Sequence, residues 1–196
     1  MYQSAAIEEA IVETAVAAIA SGDTDLLSAL NALQAPIYVT DASGLITHFN
    51  DACVGFTGRI PAVGKDRWCV TWKLYTDDGA FLPHDQCPMA TAILERRRVR
   101  GVTAVAERPD GTRVNFRPFP TPIFDVAGEL AGAVNILIDI TEIRQIEALQ
   151  EQAQRCRRLA RGVTDSAAAR TLNLMAMEYE AKALGLQAAL AGPTQP

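Results

Sequence analysis

The stretch "AVNILIDITEIRQIEALQ", residues 133–150, changes period halfway along. Val134, Ile136 and Ile138 recur at every second residue, the period of a β-strand. From Glu142 onward charges and apolar residues fall at helical spacing. Only "DIT" (139–141) lies between, so a strand is expected to run straight into a helix. Thr141 is placed to cap the free N–H groups of that helix, and Glu142 suits the positive end of its dipole. Asp139 is placed to pair with a nearby cation or cap the same end. A joint without a Gly/Ser linker passes on torque that a flexible linker would absorb.

Beyond the joint, Ile146, Leu149, Ala153, Cys156, Ala160 and Val163 recur at alternating spacings of four and three, a heptad seam. Such a seam packs either on its own chain or on a second copy, and Ile146 and Leu149 are candidate dimer contacts. Gly162 is expected to end this helix. "TDS" (164–166) is expected to cap another, with Leu172, Met175 and Tyr179 on one face.

Toward the N-terminus, "GVTAVAER", "TRVNFRPF" and "ELAGAVNILID" read as three strands joined by the turns "PDG" and "DVAG". Connections this short make neighbours antiparallel. Earlier still, "PIYVTD" and "LITHFN" flank the tight-turn signal "ASG". The intervening section, residues 51–100, is too long for a bare loop in a compact domain. It ends in "CPMATAILERRR", where Pro88 suits a first helical turn and Met89, Ala92 and Ile93 give an apolar face. This predicts an α+β domain, a five-stranded antiparallel sheet with the middle section packed across one face. A ligand pocket is expected between the two. Two further helices should precede it. One covers residues 4–20 and exposes Ile7 and Ile11, which are dimer-contact candidates. The other carries Leu26, Leu30 and Leu33 and ends before Pro36.

These pieces, in this order, resemble a PAS domain over about residues 30–145. "VTDASGLITHFNDACVGFTG" matches a D-x-x-G-x-I-x-x-x-N-x-A pattern through Asp41, Gly44, Ile46, Asn50 and Ala52. "DDGAFLPHDQCPMATAIL" and "ERPDGTRVNFRPFPTPIFDVAGELAGAVNILIDITE" are similar to the PAS modules of bacterial sensor histidine kinases. The resemblance implies flanking helices over 1–34, a PAS domain over 35–141 and a helical extension over 142–190. It also implies that Asp139 and Thr141 relay change from the core to the helix. A kinase would need a phosphoacceptor histidine on the extension and an ATP-binding domain. The two histidines, His48 and His84, both precede the joint.

Within the resemblance, Phe56, Trp68, Trp72, His84 and Met89 are the ligand-binding candidates. Cys69 lies where flavin-binding light sensors carry a reactive cysteine, but "RWCVTWK" departs from their motif and the flavin's polar partners have no counterparts. We read Cys69 as a buried structural thiol. His84 lies just ahead of the helix where haem-binding relatives place an axial histidine; we read it as a loop residue bonded to backbone or to Asp85. A haem- or flavin-binding sensor is therefore the alternative reading, and no cofactor is the primary one.

Composition narrows the classes. The formal net charge of −5 argues against nucleic acid. "ERRRVR" and "RCRRLAR" read as solvated helix faces. No apolar run reaches the length of a bilayer span, and "MYQSAAIEEA" has no basic leader. The four cysteines have no CxxC pairing and read as free thiols in a reducing, cytoplasmic setting. No metal-ligand spacing, Ser/His/Asp set, paired carboxylates or phosphate loop is present, so no enzyme is expected. The expected protein is a homodimeric signalling module that detects a small ligand or a protein partner and relays it through the joint.

Overall fold

The computed structural model describes residues 10, 13, 31–32 and 35–191. Ile7, Ile11 and most of the two expected N-terminal helices lie outside the described residues. The described chain runs β1 (Ile37–Asp41), β2 (Ile46–Phe49), α1 (Asp51–Thr57), β3 (Lys73–Tyr75), a 3-10 turn (His84–Gln86), α2 (Pro88–Leu94), β4 (Ala104–Glu107), β5 (Arg113–Pro118), β6 (Thr121–Phe124), β7 (Leu130–Asp139), α3 (Thr141–Gly162) and α4 (Ser166–Leu190). It divides into two compact units, Met1–Asp139 and Ile140–Pro196, so the division falls within "DIT".

In the first unit every pairing is antiparallel, in the order β2-β1-β7-β5-β4-β3, with β6 also on β7. The five expected strands are present, and β3 and β6 add to them. β1 and β7 lie inside the sheet and are buried on both faces. Tyr38 and Leu137 join the core that α1 and α2 cover with Cys53, Phe56, Met89 and Ile93. Ile37, Val39, Val134 and Ile136 belong to a second apolar cluster with Phe119 and Ile123. Double burial explains why these strands read as near-continuous apolar runs.

The D-x-x-G motif has a local cause. One Asp41 carboxylate oxygen accepts from the Ser43 and Leu45 amides at 2.8 and 3.0 Å and from the Ser43 hydroxyl. Burial alone would raise this carboxyl; the bonds outweigh it and hold it below its usual value. Gly44 closes the turn at φ +85°, and a Cβ there would meet the Trp68 ring at 2.3 Å. Asn50, 1% exposed, accepts the Ile37 amide at 2.9 Å and donates to the Ala35 carbonyl at 2.8 Å, tying the entrance of α1 to β1.

The second unit is a pair of helices. Asp165 caps α4 by accepting the Ala167 amide, as the sequence led us to expect. Ala153 and Cys156 of the heptad seam pack on Ala176 and Tyr179, so the middle of the seam is occupied by α4. Arg157 and Glu180 form a two-pronged ion pair at 2.8 and 2.7 Å. At the joint, the N-cap position of α3 is Ile140, with no side-chain capping bond, and Thr141 is already helical. The expected Thr141 cap is displaced by one residue because helical geometry begins immediately after the strand. Glu142 does stand in the first turn.

Candidate functional site

Three of the five candidate ligand residues share one core cluster. Phe56 meets Phe116 edge to face at 5.5 Å, Met89 packs behind them, and Trp68 lies against their rim. Phe56 and Met89 are 6% and 1% exposed. A side chain lining a ligand-sized void would show surface to a water-sized probe; these do not, so they face other side chains. Trp72 is 52% exposed and is not part of the cluster. Trp68 is turned inward by its left-handed backbone, φ +68°, while its amide donates to the Gly44 carbonyl at 2.7 Å.

What the core does contain is a row of polar groups. Asn135 accepts the Phe119 amide at 2.9 Å and donates to the Tyr38 hydroxyl at 3.0 Å. That hydroxyl donates to the Trp68 carbonyl at 3.0 Å. The Cys87 thiol reaches the same carbonyl at 3.8 Å. Cys69 Sγ lies 3.2 Å from Thr71 Oγ1, which in turn lies 3.5 Å from His84 Nε2. The row leads from the centre of the sheet to half-buried His84. The bond to Thr71 corrects the expectation that His84 engages backbone or Asp85.

Position sets the electrostatics. The Cys87 hydrogen bond, working against burial, brings the Cys69 thiol down, and the His84 charge and Thr71 act in the same direction. The Cys69 hydrogen bond pushes Cys87 up, and burial adds to it. Burial also pushes the Tyr38 phenol well above its usual range. Cys53 is different: it donates to the Ile37 carbonyl at 3.2 Å, and burial pushes it to about 12.

Tyr38, Thr71, Cys87 and Asn135 were not singled out from the sequence. Tyr38 and Asn135 are 97 residues apart, and only the β1–β7 register makes them neighbours. Cys87 carried one faint signal, its place directly before the helix-starting Pro88.

Among the other candidates, Ile146 is buried at 6% exposure and Leu149 is half-buried. Arg100 of "ERRRVR" is no solvated charge: it donates to the Pro120 carbonyl at 3.0 Å and to Thr121 Oγ1 at 2.9 Å, anchoring β6. Among the described residues, no group of three His, Cys, Asp or Glu side chains could hold a metal ion. No described helix is long and apolar enough to cross a membrane.

No family model matches the chain, and no curated protein matches it. Solved structures do. An RNA-binding light-oxygen-voltage receptor is 21% identical over 64% of this chain, with a TM-score of 0.46; the match spans 37% of the receptor. A PAS domain from Colwellia psychrerythraea is 19% identical over 59% of this chain and 93% of its own, with a TM-score of 0.40. The light-oxygen-voltage domain of a blue-light activated histidine kinase from Erythrobacter litoralis is 19% identical over 56% of this chain and 98% of its own, with a TM-score of 0.41. Residues 37–139 have a PAS fold, an α+β arrangement of an antiparallel sheet with helices across one face.

Proposed function

We propose that this protein is a signalling module in which the PAS core senses or docks and the helices after the joint respond. The observation that carries this reading is the absence of a spacer between β7, which ends at Asp139, and α3, which starts at Thr141. Asn135 of the polar row sits on that same strand, four residues before the joint. A change of hydrogen bonding at Tyr38 and Asn135 therefore acts on the strand that leads into α3. Asp139 and Thr141 are the relay residues in this reading. The close packing of Phe56 and Met89 favours a docked protein partner, or a ligand that enters only by displacing side chains, over a ligand carried in an open pocket. A catalytic role gains no support from the polar row, which contains no paired carboxylates or activated hydroxyl.

The relay reading is tested by hydrogen exchange. Tyr38→Phe removes the central hydroxyl of the row without changing the fold. Faster exchange at the start of α3, residues 141–149, is the expected result. Unchanged exchange there, alongside faster exchange in β1 and β7, would overturn the relay. Native mass spectrometry tests the packed core: the expected mass is that of the bare chain, 21.1 kDa, or a multiple of it. The same reading makes the working unit a homodimer formed through the flanking helices.

A further inference from the structure

Among the described residues, the buried side-chain atoms without a hydrogen-bond partner are Thr40 Oγ1 and His48 Nδ1. Both residues border one partly open cavity of about 220 Å³. The cavity has two causes in the sequence. β7 turns Ile136 and Val134 into the second apolar cluster, and the next residue of that alternation is Gly132, which has no side chain to continue the layer. Across from it, β1 and β2 lose register: Val39 pairs with His48 but Thr40 pairs with Ile46, so Thr47 is an extra residue. Its hydroxyl donates to the Val39 carbonyl at 3.2 Å. Bulges of this kind re-aim the side chains beside them.

His48 and Val39 are cross-strand partners and share the face of the second cluster, where Val39 and Ile123 supply the apolar wall of the cavity. Thr40 alternates with Tyr38, so its hydroxyl belongs to the helix-covered side, and His48 is the polar group on the cavity side. This is the face away from Tyr38 and Asn135, so the site stands whether or not the relay reading holds.

We propose that this cavity binds a small amine, an N–H donor on a compact apolar body, whose donor bonds to His48 Nδ1 beside the Asp41 carboxylate. A buried nitrogen without a partner is costly, and a ligand that supplies the missing bond recovers that cost. Asp41 decides the sign of the ligand. It also lines the cavity, and its turn bonds hold it ionised. All three of those bonds fall on Oδ1, so Oδ2 takes part in none of them. A negative charge here disfavours an anion and favours a cation or N–H donor, to which the imidazole answers as acceptor with its proton on Nε2. Volume sets the body. An apolar cavity of about 150 Å³ holds benzene, so about 220 Å³ takes one ring and a short amine arm. A straight alkyl chain would leave much of that space unfilled.

The test uses the full chain with isotope-labelled histidine rings and benzylamine as the probe. The two histidines, His48 and His84, are read separately by nuclear magnetic resonance. The methyl groups of Val39 and Ile123 report occupancy for every ligand. The expected result is a saturable shift of His48 Nδ1 with His84 unmoved. Benzylamine should bind at least about tenfold tighter than toluene, which keeps the ring but lacks the donor. Benzoate, with the same ring and the opposite charge, should not saturate. His48→Leu should weaken benzylamine about tenfold and leave toluene within about twofold. The wild-type comparison of the three ligands decides by itself if the variant does not fold. No saturable shift at His48, equal affinities for benzylamine and toluene, or tighter binding of benzoate would each overturn the proposal. So would tighter binding of butylamine, the arm of a lysine, which would give the cavity to a partner's side chain.

Discussion

The side-chain amide of Asn135 donates to the Tyr38 hydroxyl at 3.0 Å, and the two residues are direct cross-strand partners on β7 and β1. Tyr38 is 0% exposed, so its hydroxyl has no water to fall back on. Tyr38→Phe strands the Asn135 donor and removes the donor to the Trp68 carbonyl. The expected cost is about 1–3 kcal/mol, the usual penalty for a buried polar group left unpaired. Urea unfolding of the two proteins measures it.

The same residue fixes an alkaline limit. Burial, reinforced by Cys69 and Cys87, holds the Tyr38 phenol above its ordinary range, so the folded state binds this proton more tightly than the unfolded one. The stabilisation is complete below the ordinary tyrosine value of about 10 and is lost as pH rises beyond it. Of the four tyrosines, one should ionise only when the protein unfolds. An ultraviolet phenolate titration of the native protein reads this directly. Four phenols titrating together in folded protein would contradict the buried assignment.

Gly132 marks a close approach of β7 to β1. A Cβ at this position would lie 2.0 Å from the Thr40 carbonyl oxygen. Backbone cannot step aside as a flexible side chain can, so Gly132→Ala must open the pairing of Thr40 with its neighbours. We expect a loss of about 1–3 kcal/mol, in the range of overpacked interiors, and faster amide exchange confined to β1 and the first half of β7. Gly64→Ala, where nothing lies within 4 Å but φ is +72°, separates conformational strain from collision.

Asn50 makes a fourth test. Its side chain both accepts from Ile37 and donates to Ala35. Asn50→Asp keeps the acceptor and loses the donor, whereas Asn50→Ala loses both. The alanine variant should be the less stable of the two at neutral pH. Equal thermal midpoints would show that only one of the two bonds matters.

These tests bear on how far the sequence could be read. The joint was legible because both of its neighbours declare their period, one every second residue and the other every three to four. Asp41 and Gly44 were legible because their turn is closed locally. β6 was hidden by Pro118, Pro120 and Pro122, which lack amide donors and read as a break. The fold tolerates them because Asn135 supplies a side-chain acceptor at Phe119 and Arg100 anchors the neighbouring carbonyl. Trp68 and Trp72 were named together as ligand candidates, but the segment that contains them is not helical, and Trp68 is left-handed and packs on the core whereas Trp72 is exposed. The polar row left no trace, because its members meet only through tertiary packing.

The last prediction concerns assembly. α4 has two apolar seams on opposite sides. Leu172, Ala176, Tyr179, Ala183 and Leu186 form the inner one, on which Ala176 and Tyr179 meet Ala153 and Cys156 of α3. Leu174, Met177, Ala181, Leu184 and Ala188 form the outer one at the same alternating heptad spacing. Leu174, Met177 and Leu184 of the outer seam are 62%, 58% and 65% exposed. None of these three belongs to the buried cluster between α3 and α4. Burying each large side chain is worth about 1.5–3 kcal/mol, and several per copy offset an association cost of several kcal/mol. A second copy presenting the same seam across a two-fold axis supplies the match. Light scattering on the full chain should give twice 21.1 kDa at micromolar concentration. Leu174→Glu combined with Leu184→Glu should give the monomer with unchanged helical circular dichroism, since neither residue contributes to the inner seam. Ala176→Leu is the converse control: it should destabilise the hairpin by about 1–3 kcal/mol through overpacking and leave the outer seam in place. A wild-type protein that remains monomeric at high micromolar concentration, or a double variant that remains dimeric, would remove α4 from the interface.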